Sequence, residues 1–279
     1  LIQDILALIL KECDCGKNLF PVNSSLIMDL SLTHYIGIDL GGGRGKFTCA
    51  ILDNMRRILF RGEVTPVEWQ AKLAESTINI AAITSPISMN EGLMADPHRR
   101  EALEPPPPAK RYHNLRLCEY ELITRGFSAT RTPARLEECT PALQRALRFS
   151  SELAALGFLR WPSPGAERQL LEVHPDSAYT QLLGNKLTPL KTLEGRIQRQ
   201  LLLQEEHLNV RDPMTFFEEI TRHRLMTGQL PQGILLTPPE LNALVAAFCA
   251  WSAYTNPTGV TLLGDADEGR IVLPLSTNR

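Results

Sequence analysis

The most constraining feature of this chain is an apolar run that ends in a carboxylate and then in glycine. It reads Tyr35-Ile36-Gly37-Ile38-Asp39-Leu40, followed by Gly41-Gly42-Gly43. Such a run predicts a strand buried on both faces, with its aspartate held rigidly at the strand end. The glycines free the following turn and let a phosphate or metal approach the backbone. Two more strand-like runs follow at once, Lys46–Leu52 and Arg57–Glu63, with Asp53-Asn54 between them. Strands this close must pair antiparallel, because a parallel crossover needs about a dozen residues or more. Val67–Ser76 has helical spacing, with Trp69 and Leu73 on one face, and leads to a fourth strand at Ile78–Ile83. The order β-β-β-α-β predicts a mixed sheet.

Further along, Gln169–His174 reads as a fifth strand ended by Pro175. Helices are expected over Pro141–Leu156, Thr192–Glu206, Pro213–Met226 and Pro238–Tyr254. In the last, Leu241, Leu244, Val245, Phe248 and Trp251 follow helical spacing, and Ala243, Ala246, Ala247 and Ala250 allow close packing. Short strands at Thr261–Leu263 and Arg270–Leu273 close the chain. The expected fold class is therefore α/β: a five-stranded mixed core sheet, its first three strands antiparallel, flanked by helices. Residues 34–279 form one domain with a proline-rich basic insertion near 92–135, where Pro105–Pro108 must run as polyproline II. Residues 1–33 read as an N-terminal extension. Within it, 1–27 are expected to lie upstream of a natural start near Met28, the alternative being an amphipathic helix packed on the domain.

Composition narrows the function classes. The 279 residues carry 29 Lys and Arg against 31 Asp and Glu, a formal net charge of −2. This excludes a strongly basic nucleic-acid coat and an acidic disordered tail, and leaves only a local basic face. The candidate for that face is 99–148, with ten basic against six acidic side chains; the plainer reading is a solvated loop. No uninterrupted apolar run approaches a membrane-spanning length, so no membrane partner is expected. Of six cysteines only Cys13 and Cys15 are close, and no second pair completes a zinc site. Reduced thiols in a cytoplasmic protein are the expectation.

The candidate site rests first on Asp39. Glu172 is the second acid: in Leu171-Glu172-Val173-His174-Pro175 its charge sits in an apolar strand. It must be paired, protonated or bound to metal, unless the strand lies at an edge and Glu172 faces water. His174 shares its parity and is a candidate ligand or orienting group, or a structural histidine. Arg44 and Lys46 flank the glycine turn as candidate phosphate contacts or as a charged hairpin tip. Cys118 is a conceivable nucleophile, but it lies between Arg116 and Glu119, which read more simply as an ion pair or a substrate-orienting arginine.

A strand-end aspartate followed by glycines and a hairpin is similar to the start of two fold families. In the ribonuclease H fold that aspartate binds a divalent metal; in the sugar kinase, actin and Hsp70 fold the loop holds nucleotide phosphates. An ordered set of segments resembles domain-of-unknown-function family 429, described as predicted nucleases of the ribonuclease H fold. The set comprises Gly37-Ile38-Asp39, Ile83–Ile87, Arg116–Glu119, Leu171–Pro175, Lys191–Arg196, Leu241–Ala247 and Asp267–Pro274. The resemblance implies a metal-dependent nuclease or phosphodiesterase acting on nucleic acid. Asp39 and Glu172 would hold Mg²⁺ or Mn²⁺, Asn242 would complete the catalytic set, and Arg44, Lys46 and Arg116 would contact phosphates. Two departures stand out: the family has aspartate where this chain has Thr84 and Asn242. Neutral oxygens hold Mg²⁺ weakly, so the site is expected to bind one ion or to be degenerate. Glu240, about 200° around a helix from Asn242, does not replace it. The alternatives are a non-catalytic domain that binds nucleic acid or protein, and an ATP-dependent small-molecule kinase. Nothing in the sequence specifies an oligomeric state.

Overall fold

A computed structural model describes residues 33–41, 46–104, 106–108 and 111–275. The expectations placed on residues 1–27 and on Arg44 lie outside these. The run ending at Asp39 forms β1 (Thr33–Asp39), buried along its whole length. The next two runs form β2 (Phe47–Leu52) and β3 (Ile58–Val64), and both pairings are antiparallel. β3 alternates half-buried and exposed residues, as an edge strand with one solvated face does. A capping box between Thr65 and Glu68, with Pro66 in the first turn, starts α1 (Pro66–Ala74). This helix carries the chain over to β4 (Ile78–Ile83), parallel to β1.

A long excursion then holds α2 (Pro97–Glu101), α3 (Leu117–Thr124) and α4 (Pro141–Ala155). It returns through β5 (Leu159–Arg160) to β6 (Arg168–Glu172), parallel to β4. Four helices follow: α5 (Pro175–Leu183), α6 (Leu193–Glu205), α7 (Thr215–Thr227) and α8 (Pro238–Thr255). The hairpin β7 (Val260–Asp265) and β8 (Gly269–Pro274) completes the sheet. That sheet has eight strands, not five, in the order β3-β2-β1-β4-β6-β8-β7, with β5 also pairing β6. The five expected strands form one contiguous half. The closing hairpin joins them because β8 docks parallel to β6 at Glu172 and Ile271, a non-local pairing that no local periodicity announces.

Alternation divides the core in two. Tyr35, Ala50, Ile80, Ala82, Leu171 and Val173 face α8, α5 and α3, while Ile36, Ile38, Cys49, Ala81, Ile83 and Leu170 face α1 and α4. α8 lies directly on β1. A Cβ on Gly37 would overlap the Ala243 carbonyl and the Ala247 amide, so glycine on the strand and alanines on the helix together set the separation. The stretch 232–255 is long and apolar enough to cross a membrane by length and composition alone, although polar residues interrupt it. Within its 18-residue apolar window, 67% is buried inside the domain. Part of the insertion's basic charge is consumed internally. Arg100 is buried and donates to the Met94, Pro108 and Arg111 carbonyls, and Arg99 pairs with Asp265.

Candidate functional site

The parallel strands β1, β4 and β6 end together at a cavity of about 420 Å³, lined among others by Asp39, Thr84, Arg116, Glu172, His174 and Asn242. Crevices outside the carboxyl ends of parallel strands are where open α/β sheets bind ligands. Asp39 is 7% exposed. Its Oδ1 accepts from the Gly41 amide at 2.7 Å, a turn in which a Cβ at Gly41 would press on that same oxygen. Its Oδ2 accepts from Asn242 Nδ2 at 2.7 Å. The close seat of α8 on Gly37 makes this possible, because Asn242 immediately precedes Ala243. The other amide atom, Asn242 Oδ1, is buried and has no hydrogen-bond partner among the described residues. Thr84 follows β4, and its amide donates to the Ile38 carbonyl at 3.0 Å. It thus takes the place beside Asp39 in the next row of the ladder.

Glu172 is placed differently. The register aligns it with Ile83, and Ile83 with Ile38. In-register residues on parallel strands point to one face, so Asp39, one residue past Ile38, leaves the sheet on the opposite face. The Glu172 carboxylate is also fully answered. Arg116 Nη2 donates to Oε1 at 2.6 Å and Nη1 to Oε2 at 2.9 Å, and the Ile87 amide adds a third bond at 3.1 Å. Arg116 Nε meanwhile donates to Glu119 Oε1 at 2.9 Å. Arg116 is 1% exposed and both carboxylates are nearly as buried. Burial works against the guanidinium charge, but Glu172 first, with Glu119 and other neighbours, together offset it, so the arginine pKa is held well above its usual value. Two carboxylates and one guanidinium leave one negative charge. The amide and hydroxyl of Thr132 and the amide of Arg116 spread it over hydrogen bonds to Glu119. The sequence expected Arg116 to meet substrate phosphate; all three of its guanidinium nitrogens donate to Glu172 or Glu119 instead.

The remaining candidates divide. His174 caps α5: its Nδ1 accepts from the Ser177 amide at 3.2 Å, and burial pulls its pKa below the usual value. Lys46 lies at the surface, 3.8 Å from Glu63, and lines a separate cavity instead of this one. The Cys118 thiol is buried, and burial first, with Glu172 beside it, raises its pKa and keeps it protonated. Glu240 closes the capping box of α8 with Thr237 and pairs with Arg61. Two residues went unrecognised. Glu268, fully buried, accepts from the amides of Glu91, Leu93 and Leu117 and fastens the insertion to the β7–β8 hairpin. Arg145 reaches the cavity wall from α4, exposed and with no ion pair among the described residues. An acid just before Gly269 and an arginine on an amphipathic helix are the faint signals that pointed to them.

The donor set does not fit a pair of divalent ions. Two-ion catalysis requires several carboxylates converging within about 4 Å. Of the four acids that line the cavity, Glu172 and Glu119 are tied to Arg116, Asp176 is paired with Arg199, and Asp39 stands with two neutral side chains. Among the described residues no group of three or more His, Cys, Asp and Glu side chains could hold a metal. A model of the family described as "Protein of unknown function (DUF429)" matches residues 37–268. No curated protein and no solved structure matches the chain.

Proposed function

The chain belongs to that family of proteins of unknown function, and from this premise we propose that it is a ribonuclease H-like domain whose strand-end cavity binds nucleic-acid phosphates without cleaving them. It is a degenerate form of a metal-dependent nuclease site. The fold reading is supported by the order β3-β2-β1-β4-β6, with an antiparallel trio feeding parallel strands and the first strand at the centre. The functional reading is carried by one observation: both oxygens of Glu172 are taken by Arg116. Asp39 is left between the neutral Thr84 and Asn242, Asp176 on the same cavity wall is paired with Arg199, and a single unpaired carboxylate holds Mg²⁺ or Mn²⁺ poorly. Arg145, exposed on the cavity wall, offers the charge that attracts a phosphate backbone.

A second reading keeps catalysis with a single ion. It is favoured by the unpartnered Asn242 Oδ1, since rotating that amide would set an oxygen beside Asp39 Oδ2. One experiment separates the two. Purified protein is incubated with single- and double-stranded DNA and RNA and Mg²⁺ or Mn²⁺, with binding followed by fluorescence anisotropy and cleavage by gel. The expected result is salt-sensitive binding, weakened by Arg145→Glu, and no cleavage. Cleavage that Asp39→Ala abolishes would establish the single-ion reading, and absence of both binding and cleavage would reject both.

A further inference from the structure

Exposed apolar side chains gather at α7. Five of the twelve large apolar side chains exposed among the described residues fall between 214 and 230: Met214, Phe217, Leu225, Met226 and Leu230. Leu225 and Met226 are each 80% exposed. An α-helix advances about 100° per residue, so Met214, just ahead of the helix, Phe217, Thr221 and Leu225 keep within an arc of about 80°. The opposite side of the helix is already used: Phe216 is buried and, with Ile220, packs against Ile197, Ile234 and Leu235. One side of α7 thus holds the helix to the domain, and the other presents an apolar stripe to solvent, the kind of surface that marks an interaction site. Glu218 and Arg222 run along one flank of the stripe, and both are exposed. Arg222 reaches Glu219 of its own helix at 3.6 Å, a surface contact worth little.

From this pattern we propose that the stripe is the interface of a homodimer, in which the α7 helices of two copies pair antiparallel about a two-fold axis at Thr221. The stripe is complementary to itself. Phe217 and Leu225 stand four residues to either side of Thr221, so the axis sets each Phe217 against Leu225 of the partner subunit. Thr221, the smallest side chain of the stripe, lies at the crossing point and lets the helices approach. In an antiparallel pair like flanks face each other. Glu218, before the midpoint, therefore comes beside Arg222 of the partner subunit, after it, and symmetry makes the contact twice. This order of charges selects a second copy over an unrelated apolar partner. At 1.5 Å per residue the helix is about 20 Å long, which gives a small interface and a reversible dimer instead of an obligate one. No α7 residue lines the Asp39 cavity, and the proposal does not depend on the reading of that cavity.

The test is sedimentation velocity of the full chain between about 5 and 500 µM, where a monomer–dimer equilibrium with a Kd of about 10–100 µM is expected. Leu225→Glu, at an exposed position, is expected to leave the protein monomeric over that range with its melting temperature unchanged. Glu218→Arg and Arg222→Glu are each expected to weaken the dimer about threefold or more. The two together are expected to restore it to within about twofold, because the pair is then exchanged and not broken. A wild-type protein that stays monomeric throughout would overturn the proposal, and cosedimentation of that monomer with anionic phosphatidylglycerol vesicles would assign the stripe to a lipid surface instead. A dimer untouched by Leu225→Glu would overturn it as well. So would a double variant that associates no better than the single ones.

Discussion

Arg116 is the residue on which the site turns. It is buried, donates to two carboxylates, and converts what the sequence presents as a metal-seeking acid into half of an ion pair. Arg116→Met should cost about 3–5 kcal/mol in urea unfolding, because two buried carboxylates would be left without their cation. A loss below about 1 kcal/mol, the range of surface ion pairs, would show that the network contributes little. Sequence reasoning left Glu172 either partnered or facing water from an edge strand, and named Arg116 and Glu119 as a pair. It did not join the three, because Arg116 and Glu172 are 56 residues apart and meet only once the sheet has formed. Asp39 was easier to read, since a strand-end acid followed by glycine is a local pattern. The Asn242 contact was not local, yet the alanine stripe that carries it onto β1 was already visible.

At the scale of elements, close packing of α8 on β1 sets the Asp39–Asn242 contact. Gly37→Ala would drive a methyl group into the α8 backbone, and a thermal or urea melt should show a loss of about 2 kcal/mol or more. An unchanged melt would mean that the helix can shift freely. The His174 cap on α5 adds a pH dependence. Burial lowers its pKa from an ordinary 6.5, so the folded state resists a proton that the unfolded chain accepts. Its contribution is therefore neutral above that value, and stability falls as the pH drops below it. His34 shifts the same way, so the informative quantity is the difference made by His174→Asn, which keeps an N-cap acceptor and removes the titration. Stability profiles between about pH 7 and pH 5 should be flatter in the variant; parallel profiles would contradict this account of the cap.

Long elements and the closing hairpin were legible, and the short helices of the insertion were not. β1 to β4, α4 and α8 lie within a few residues of the expected bounds, because buried runs and helical spacing are strong over that length. The sequence reading missed α2 and α3, two short helices inside an apparent loop. It also treated Pro175 only as a strand stop, when proline equally suits the first turn of a helix, here α5.

For the molecule as a whole, the sheet gathers three strand ends into one cavity, and the insertion, fastened by Glu268, delivers Arg116 to it. The same architecture with three convergent acids would be a metal centre. With Glu172 tied to arginine and two positions neutral, the cavity is polar but lacks converging carboxylates. Calorimetric titration of the purified protein with Mn²⁺ tests this most directly. No saturable binding is expected through the millimolar range. A saturable isotherm that Asp39→Ala abolishes would contradict the account, because it would mean that Asp39 and its neutral neighbours hold a cation after all.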